Sequence, residues 1–259
     1  MFGPIKEFRQ KLQSGQFCVG IGITLADPCV CELLGPTADF FWIDLEHTAL
    51  NLESLQAHFI AARAVSTPAL VRVPGSDHKI IKRVLDSGAQ GIIVPQVSSR
   101  DEAEYVVSSC RYPPQGARGF GPRRAMDYGR IDVDTYFRHA REDVFVSVQI
   151  ENVAAFQALD TIVTVPGLDS VVIGPYDLSV SMGKPGQLED PEVAEAFQTI
   201  VDRAHANDRF VGMGMPADEE CALRAGGIGV NWVQCGNDWN YMLDLANVIP
   251  SRIRSEINK

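Results

Sequence analysis

The stretch ALVRVPGSDHKIIKRVLDSGAQGIIVP, residues 69–95, holds two short apolar runs separated by a segment with helical periodicity. The runs at 69–73 and 91–95 are rich in β-branched residues and have the length of buried strands. Between them, residues 77–87 repeat apolar side chains at the spacing of one helix face. A strand, a helix and a second strand in this order predict two parallel strands joined by a crossover helix.

The same alternation recurs along the whole chain. We predict strands at 17–23, 39–44, 69–73, 91–95, 144–150, 168–174, 209–215 and 230–236. We predict helices at 27–34, 52–65, 77–87, 100–110, 152–160, 191–207, 217–226 and 238–256. Eight strand and helix units in about 250 residues favour a closed (β/α)8 TIM barrel over an open doubly wound sheet. The predicted fold class is therefore α/β.

The length of 259 residues, with 46% hydrophobic and 22% charged residues, fits a single domain over 1–259. One segment interrupts the regular alternation, an irregular excursion at about 112–141 that contains RYPPQGARGFGPRRAMDYG. Long irregular segments are often functional loops, and a solvated surface insertion is the alternative.

Charge and hydropathy exclude several classes of function. The formal net charge is −10, and acidic and basic residues are interspersed, so no cationic face is available for nucleic acid. Neither a signal peptide nor a run of about 18 apolar residues is present, which predicts a cytoplasmic protein without a membrane contact. Dinucleotide-binding, P-loop, zinc-protease and nucleophile-elbow motifs are absent from the sequence.

Polar residues at strand ends are the informative ones, because a barrel of this kind assembles its chemistry from the carboxyl ends of several strands. The segment WIDLEH ends its predicted strand with Asp44, Glu46 and His47. A histidine there is suited to general base catalysis because its pKa lies near neutrality. The alternative is that the two acids are solvated in a loop and that the histidine fills a turn.

Arg72 is a cation inside the apolar run LVRVP. A buried arginine needs a partner, which is either an anionic ligand or a carboxylate of the protein. Asp86, near the end of the next helix, is a candidate for that partner or for a group that orients a base. A local helix-end hydrogen bond is the alternative for Asp86.

Glu151 ends the fifth predicted strand, and Asp177 follows the sixth in VVIGPYDLS. Neighbouring strands lie about 4.8 Å apart, so the two carboxylates can reach one point. Magnesium or manganese is bound by one or two carboxylates together with water and substrate oxygens. Two acids on adjacent strands therefore predict a divalent metal site, with helix capping as the alternative for each acid. The turn at 174–177 also begins a helix, where backbone amides can face an anion.

Together these segments resemble the HpcH/HpaI family of class II pyruvate aldolases, which cleave 4-hydroxy-2-oxoacids and include 2-keto-3-deoxy-sugar-acid aldolases. The resemblance covers about residues 15–250. It is densest in WIDLEH, LVRVPGSDHKIIKRVLDSGAQGIIVPQV, GARGFG, VQIEN and VVIGPYDLSVSMG. It implies a barrel of the phosphoenolpyruvate/pyruvate-binding type, and a homohexamer, a trimer of dimers, whose last helix packs on a neighbouring subunit.

The resemblance also implies roles for individual residues. Glu151 and Asp177 would hold the divalent metal ion, which is magnesium, manganese or cobalt. His47 would act as the base, with assistance from Asp86.

The remaining implied roles concern pyruvate. Arg72 would lie against its keto oxygen, and Gln149 and the backbone of Gly174, Pro175, Tyr176 and Asp177 would lie near its carboxylate. Tyr176 stands where better-known aldolases often have alanine, which makes the pocket wall bulkier. Two other functions stay open at this point: a malyl-CoA or citryl lyase, and a non-catalytic barrel that binds oxoacids.

Overall fold

The computed structural model describes residues 2–258. Eight parallel strands pair in chain order, and the last pairs with the first to close a barrel, so the predicted (β/α)8 fold is confirmed. Every predicted strand is present, with ends that differ by no more than two residues. The strands are β1 Cys18–Ile23, β2 Phe40–Asp44, β3 Ala69–Arg72, β4 Gly91–Val94, β5 Phe145–Ile150, β6 Ser170–Ile173, β7 Phe210–Met215 and β8 Trp232–Asn237.

Helices lie around the barrel, and two short 3-10 helices, Gly35–Thr37 and Asp127–Gly129, accompany them. All the predicted helices are present, although the one expected at 152–160 is divided in two. None of the helices in the described part of the chain combines the length and the apolar character that a membrane crossing requires. The helices are α1 Gly3–Gln13, α2 Cys29–Leu34, α3 Leu52–Ala64, α4 His78–Ser87, α5 Arg100–Cys110, α6 Val133–Glu142, α7 Val153–Gln157, α8 Leu159–Ile162, α9 Pro175–Ser181, α10 Pro191–His205, α11 Glu219–Gly227 and α12 Asp238–Ile257.

Helix α1, which the strand and helix pattern did not predict, closes the amino-terminal end of the barrel. Its Ile5, Phe8 and Leu12 are buried. The Phe8 ring lies 5.1 Å from the ring of Phe40 and 5.5 Å from that of Phe145, measured between centroids. A ligand can therefore enter the barrel from the carboxyl ends of the strands but not from the other end.

Aromatic side chains fill the barrel interior below the open end. Trp232 is fully buried, and its ring occupies space that Gly212 leaves free on the adjacent strand β7. A Cβ atom on Gly212 would come within 2.3 Å of that ring, closer than van der Waals contact allows. The packed interior below and the open strand ends above place any substrate site among the loops that follow the strands.

The excursion at about 112–141 is not irregular throughout, because its second half forms helix α6. The segment follows α5 and precedes β5, so it lies at the amino-terminal end of the barrel. Arg111, just before it, donates hydrogen bonds to the carbonyl oxygens of Val144 and Gly167, which adjoin strand starts at the same end. Within one chain, the excursion is therefore a structural segment on the face opposite the strand carboxyl ends.

Helix α12 does not pack along its own barrel. Asp238 in its first turn is buried, but the rest of the helix is exposed or half-buried. An apolar row is exposed on it at intervals of three and four residues, formed by Met242, Leu245, Ile249, Ile253 and Ile257. This helix thus does not close the protein's own barrel.

Candidate active site

A cavity of about 640 Å³ opens at the carboxyl ends of the strands. Seven of the residues predicted to form the site line it, and Glu151 lies directly behind its wall, beneath Gly174. The remaining lining comes from strand ends and loops around the whole barrel. The lining includes Thr24, Trp42, Asp44, His47, Arg72, Gln149, Gly174, Pro175, Tyr176, Asp177, Gln234, Asn237, Trp239 and Asn240.

Arg72 is paired with Asp44, which stands directly opposite it at the ends of strands β3 and β2. Nε and Nη2 of Arg72 donate to the two carboxylate oxygens of Asp44 at 2.9 and 2.8 Å, a bidentate ion pair. Burial alone would lower the pKa of Arg72, but the hydrogen bonds and negative charge of Asp44 raise it above its ordinary value. The protein carboxylate expected beside Arg72 is therefore Asp44 and not Asp86, and Nη1 is left for another acceptor.

Glu46 and His47 follow β2, and His47 lines the same cavity. Oε2 of Glu46 lies 3.2 Å from Nε of Arg72 and 3.6 Å from Nε2 of His47. This oxygen is buried and accepts no well-aligned hydrogen bond from the described residues. Burial raises the pKa of Glu46, and the charges of Asp44 and Asp177 act in the same direction. Asp44 is also buried, so the alternative interpretation, two acids solvated in a loop, is wrong.

Glu151 is held by hydrogen bonds on both carboxylate oxygens. The backbone N–H of Gln96 donates to Oε1 and the Gln149 side chain donates to Oε2, each at 2.6 Å. Burial raises the pKa of Glu151 to about 7, and the charges of Glu46 and Asp177 act in the same direction. Gly174 permits this packing, because a Cβ atom there would come within 2.8 Å of Oε2 of Glu151.

The arrangement of acids fits a divalent cation. Glu151, Glu46 and Asp177 lie close enough for their charges to disfavour one another, and a bound cation would remove that repulsion. Oε1 of Gln149 is buried at the cavity and has no hydrogen-bond partner within residues 2–258, which suits a site completed by a bound group.

The same residues suit an oxygen-ligated ion and not a zinc-type cage. Over residues 2–258 there is no cluster of three or more His, Cys, Asp or Glu side chains with metal-ligand geometry. Magnesium and manganese require fewer protein ligands, because water and substrate oxygens complete their shell. Asp44 is committed to Arg72, and Glu46 lies between Arg72 and His47, which leaves Glu151 and Asp177 as the predicted ligands for such an ion.

Asp86 is not part of this site within one chain. It lies near the end of α4, and because α4 runs antiparallel to the strands, its end is at the closed face of the barrel. There Asp86 accepts a hydrogen bond of 2.7 Å from Nη2 of Arg118, whose side chain is 1% exposed. The expected assistance of His47 by Asp86 therefore does not occur inside a single subunit.

Several lining residues were missed by the strand-end argument. Thr24, Gln234, Asn237, Trp239 and Asn240 come from the segments after β1 and around the end of β8. They are neutral, so neither charge nor titration singled them out. Their position at the ends of predicted strands was the available signal.

Comparison with known proteins identifies the family. Residues 23–243 match the model of the HpcH/HpaI aldolase/citrate lyase family. The hydroxypyruvate/pyruvate aldolase of Pseudomonas aeruginosa is 35% identical over 97% of this chain and 94% of its own length. The 4-hydroxy-2-oxovalerate aldolase of Rhodococcus jostii is 36% identical over 97% of both chains. The crystal structure of an HpcH/HpaI aldolase from Desulfitobacterium hafniense superposes with a TM-score of 0.89, at 28% identity over 95% of this chain and 96% of that chain.

The fold and the carboxylate-rich cavity define a TIM-barrel lyase. The chain belongs to the HpcH/HpaI aldolase/citrate lyase family and is an aldolase, as the sequence motifs predicted. Dependence on a divalent metal is typical of this family.

Proposed function

We propose that this aldolase cleaves a 4-hydroxy-2-oxoacid reversibly into pyruvate and an aldehyde. The observation that carries the proposal is the convergence of Arg72, His47 and a buried carboxylate cluster on one cavity at the open end of the barrel. Carbon–carbon cleavage next to a keto group leaves an enolate, and these residues supply what an enolate requires. Two relatives that match over nearly their whole length, a hydroxypyruvate/pyruvate aldolase and a 4-hydroxy-2-oxovalerate aldolase, support the same substrate class.

Glu151 and Asp177 would hold a magnesium, manganese or cobalt ion. When bound, such an ion acts as a Lewis acid that stabilises the negative charge of the enolate. The protein's contribution is to fix the two ligands. The hydrogen bonds from Gln96 and Gln149 hold the Glu151 carboxylate in one orientation. Asp177 lies in the first turn of α9, which fixes its backbone.

Arg72 would hold the keto oxygen of pyruvate. Asp44 engages Nε and Nη2, so Nη1 is the donor left for the substrate, and the guanidinium plane is fixed over the Trp42 ring at 5.4 Å. Gln149 and the backbone of residues 174–177 would bind the pyruvate carboxylate from the opposite side, since they line the same cavity. The developing oxyanion is thereby met by a donor that needs no reorganisation.

His47 would take the proton from the 4-hydroxyl group of the substrate. Its side chain is 65% exposed to the cavity, so it can reach a substrate without a change in the fold. Glu46 lies beside it and would stabilise the protonated imidazole. Asp86 can assist His47 only from a neighbouring copy of the chain, so that role is tied to the proposed oligomer.

The proposal is tested by measuring pyruvate release from 4-hydroxy-2-oxoacids by the metal-loaded enzyme. Parallel reactions with malyl-CoA and citryl-CoA test the lyase function that the family's name also covers. Release of pyruvate supports the proposal. Carbon–carbon cleavage of malyl-CoA or citryl-CoA alone, or binding of the oxoacid without cleavage, would contradict it.

Arg72→Lys is expected to lower kcat by roughly 10²- to 10³-fold, which is the usual effect of removing one oxyanion donor. Lysine keeps the charge but cannot bond to Asp44 with two parallel donors and still present a third to the substrate. Steady-state kinetics and the melting temperature should be measured on the same preparation.

Arg209→Lys is the matched control for that substitution. Arg209 donates to two backbone carbonyls at the closed end of the barrel, so its replacement should affect stability but not kcat. If Arg72→Lys lowers the melting temperature and leaves kcat unchanged, Arg72 is a structural ion-pair residue and its catalytic role is refuted.

We further propose that the chain forms a homohexamer in which α12 packs on a neighbouring subunit. The exposed row on α12 supports this, because an amphipathic helix is stabilised chiefly by burial of its apolar face. Light scattering at micromolar concentration should give about six times the subunit mass of 28.4 kDa.

The double substitution Leu245→Glu with Ile249→Glu should dissociate the oligomer and reduce turnover, since Asp86 would then be lost from the neighbour's site. Ser255→Glu adds a charge to the same helix away from the apolar row and should leave the mass unchanged. A monomeric mass for the unmodified chain would contradict the proposal.

A further inference from the structure

The wall of the cavity opposite the carboxylate cluster is built from neutral polar groups. Gln149 and residues 174–177 come from the β5 and β6 side, whereas the opposite wall comes from the ends of β1 and β8. If the pyruvate part of the substrate lies against the β5 and β6 side, the part that leaves as the aldehyde extends towards the wall from β1 and β8. The groups on that second wall therefore select the aldehyde.

The hydrogen bonds of this wall leave donors and acceptors directed to a ligand. Oδ1 of Asn240 accepts from the backbone N–H of Asn237 at 2.9 Å, and Oδ1 of Asn237 accepts from Gln234 at 3.3 Å. Neither Nδ2 atom of the two asparagines donates to an acceptor within residues 2–258. Thr24 donates its hydroxyl hydrogen to Asp238 at 2.6 Å, which leaves its oxygen as an acceptor.

The charge of the cavity disfavours an acidic aldehyde. Arg72 is the only lysine or arginine among the described residues that line it, and this side chain is already bound by Asp44 and close to Glu46. Two carboxylates, Asp44 and Asp177, line the cavity, and two more, Glu46 and Glu151, lie close enough to interact with their charges. Even with a divalent cation and pyruvate bound, negative charge is in excess among these groups, and a second carboxylate on the substrate would find no cation except Arg72 among the residues of the same chain that line the cavity.

From this wall we infer that the aldehyde partner is a small, uncharged hydroxyaldehyde and not a semialdehyde that carries a carboxylate. Hydroxyl groups both accept and donate, so they match the free amide N–H groups of Asn237 and Asn240 and the oxygen of Thr24. The volume of about 640 Å³ leaves room for such an aldehyde beside pyruvate. This inference rests on the proposed pyruvate aldolase function and specifies its substrate class.

The experiment compares aldol addition of pyruvate to glyceraldehyde and to succinic semialdehyde by the manganese-loaded enzyme. Glyceraldehyde should be preferred at least about tenfold in kcat/KM, since a like-charge contact costs several kcal/mol and 1.4 kcal/mol is tenfold. Equal use of the two aldehydes, or a preference for the semialdehyde, would overturn the inference. If neither aldehyde gives an adduct and no hydroxy-oxoacid releases pyruvate, the proposed function itself fails.

Asn240→Lys tests the wall directly, because it supplies the missing cation. The ratio of kcat/KM for succinic semialdehyde to that for glyceraldehyde should rise at least about fivefold, which corresponds to about 1 kcal/mol. Asn258→Lys adds the same charge at the exposed end of α12 and should leave the ratio unchanged. An unchanged ratio in both variants would show that this wall does not face the aldehyde.

Discussion

Replacing Glu151 by alanine is expected to abolish turnover, and added manganese is not expected to restore it. Glu151 is one of two carboxylates that the cavity offers to a divalent ion, and it is the one held rigidly on both oxygens. A bound Lewis acid contributes several kcal/mol of transition-state stabilisation, so kcat should fall by at least about 10³-fold. Metal affinity, measured by calorimetric titration, should fall in the same variant.

Two further substitutions make this result interpretable. Asp177→Ala should also weaken metal binding, because Asp177 would be the second ligand. Glu142→Ala removes an exposed acid that pairs with Arg141 on the surface, and should affect neither metal binding nor turnover. Full activity of thoroughly chelated protein, or unchanged metal affinity in both ligand variants, would contradict the metal site.

His47→Ala is expected to slow aldol cleavage by roughly 10²- to 10⁴-fold, the usual contribution of a general acid or base. Metal affinity and melting temperature should hardly change, because His47 is exposed and is not a proposed ligand. His205→Ala, an exposed histidine at the closed end of the barrel, is the matched control. Near-normal cleavage by the His47 variant would show that His47 is not the base and that a water molecule takes the proton instead.

The sequence predicted the barrel because parallel strands buried on both faces appear as short apolar runs at regular intervals. It did not predict α1 and α6, and it indicated only the start of α9, at the turn 174–177. The first lies before the repeating units and packs against aromatic rings from distant strands. Helix α6 belongs to an insertion outside the repeat, and α9 has seven residues, too few for a clear periodicity.

The site was predictable to the extent that strand ends reveal it. Arg72, His47, Asp177 and Gln149 line one cavity, with Glu151 immediately behind its wall. The pairing of Arg72 with Asp44 depends on the register between β2 and β3, which residue types alone do not give.

Asp86, by contrast, is a predicted site residue that the strand and helix pattern could have excluded from the site of its own chain. Its place at the end of a crossover helix assigns it to the closed face by topology alone, and its partner Arg118 comes from the irregular segment, whose path the strand and helix pattern does not determine.

Metal-dependent formation of the pyruvate enolate is tested most directly by the exchange of pyruvate methyl hydrogens with deuterium from the solvent, followed by mass spectrometry. This exchange reports the enolate without any aldehyde and so does not depend on knowing the natural substrate. We expect exchange by the manganese-loaded enzyme and loss of exchange after chelation or in Glu151→Ala. Folded, metal-loaded enzyme that does not exchange these hydrogens, or chelated enzyme that exchanges them equally fast, would contradict a metal-dependent pyruvate aldolase.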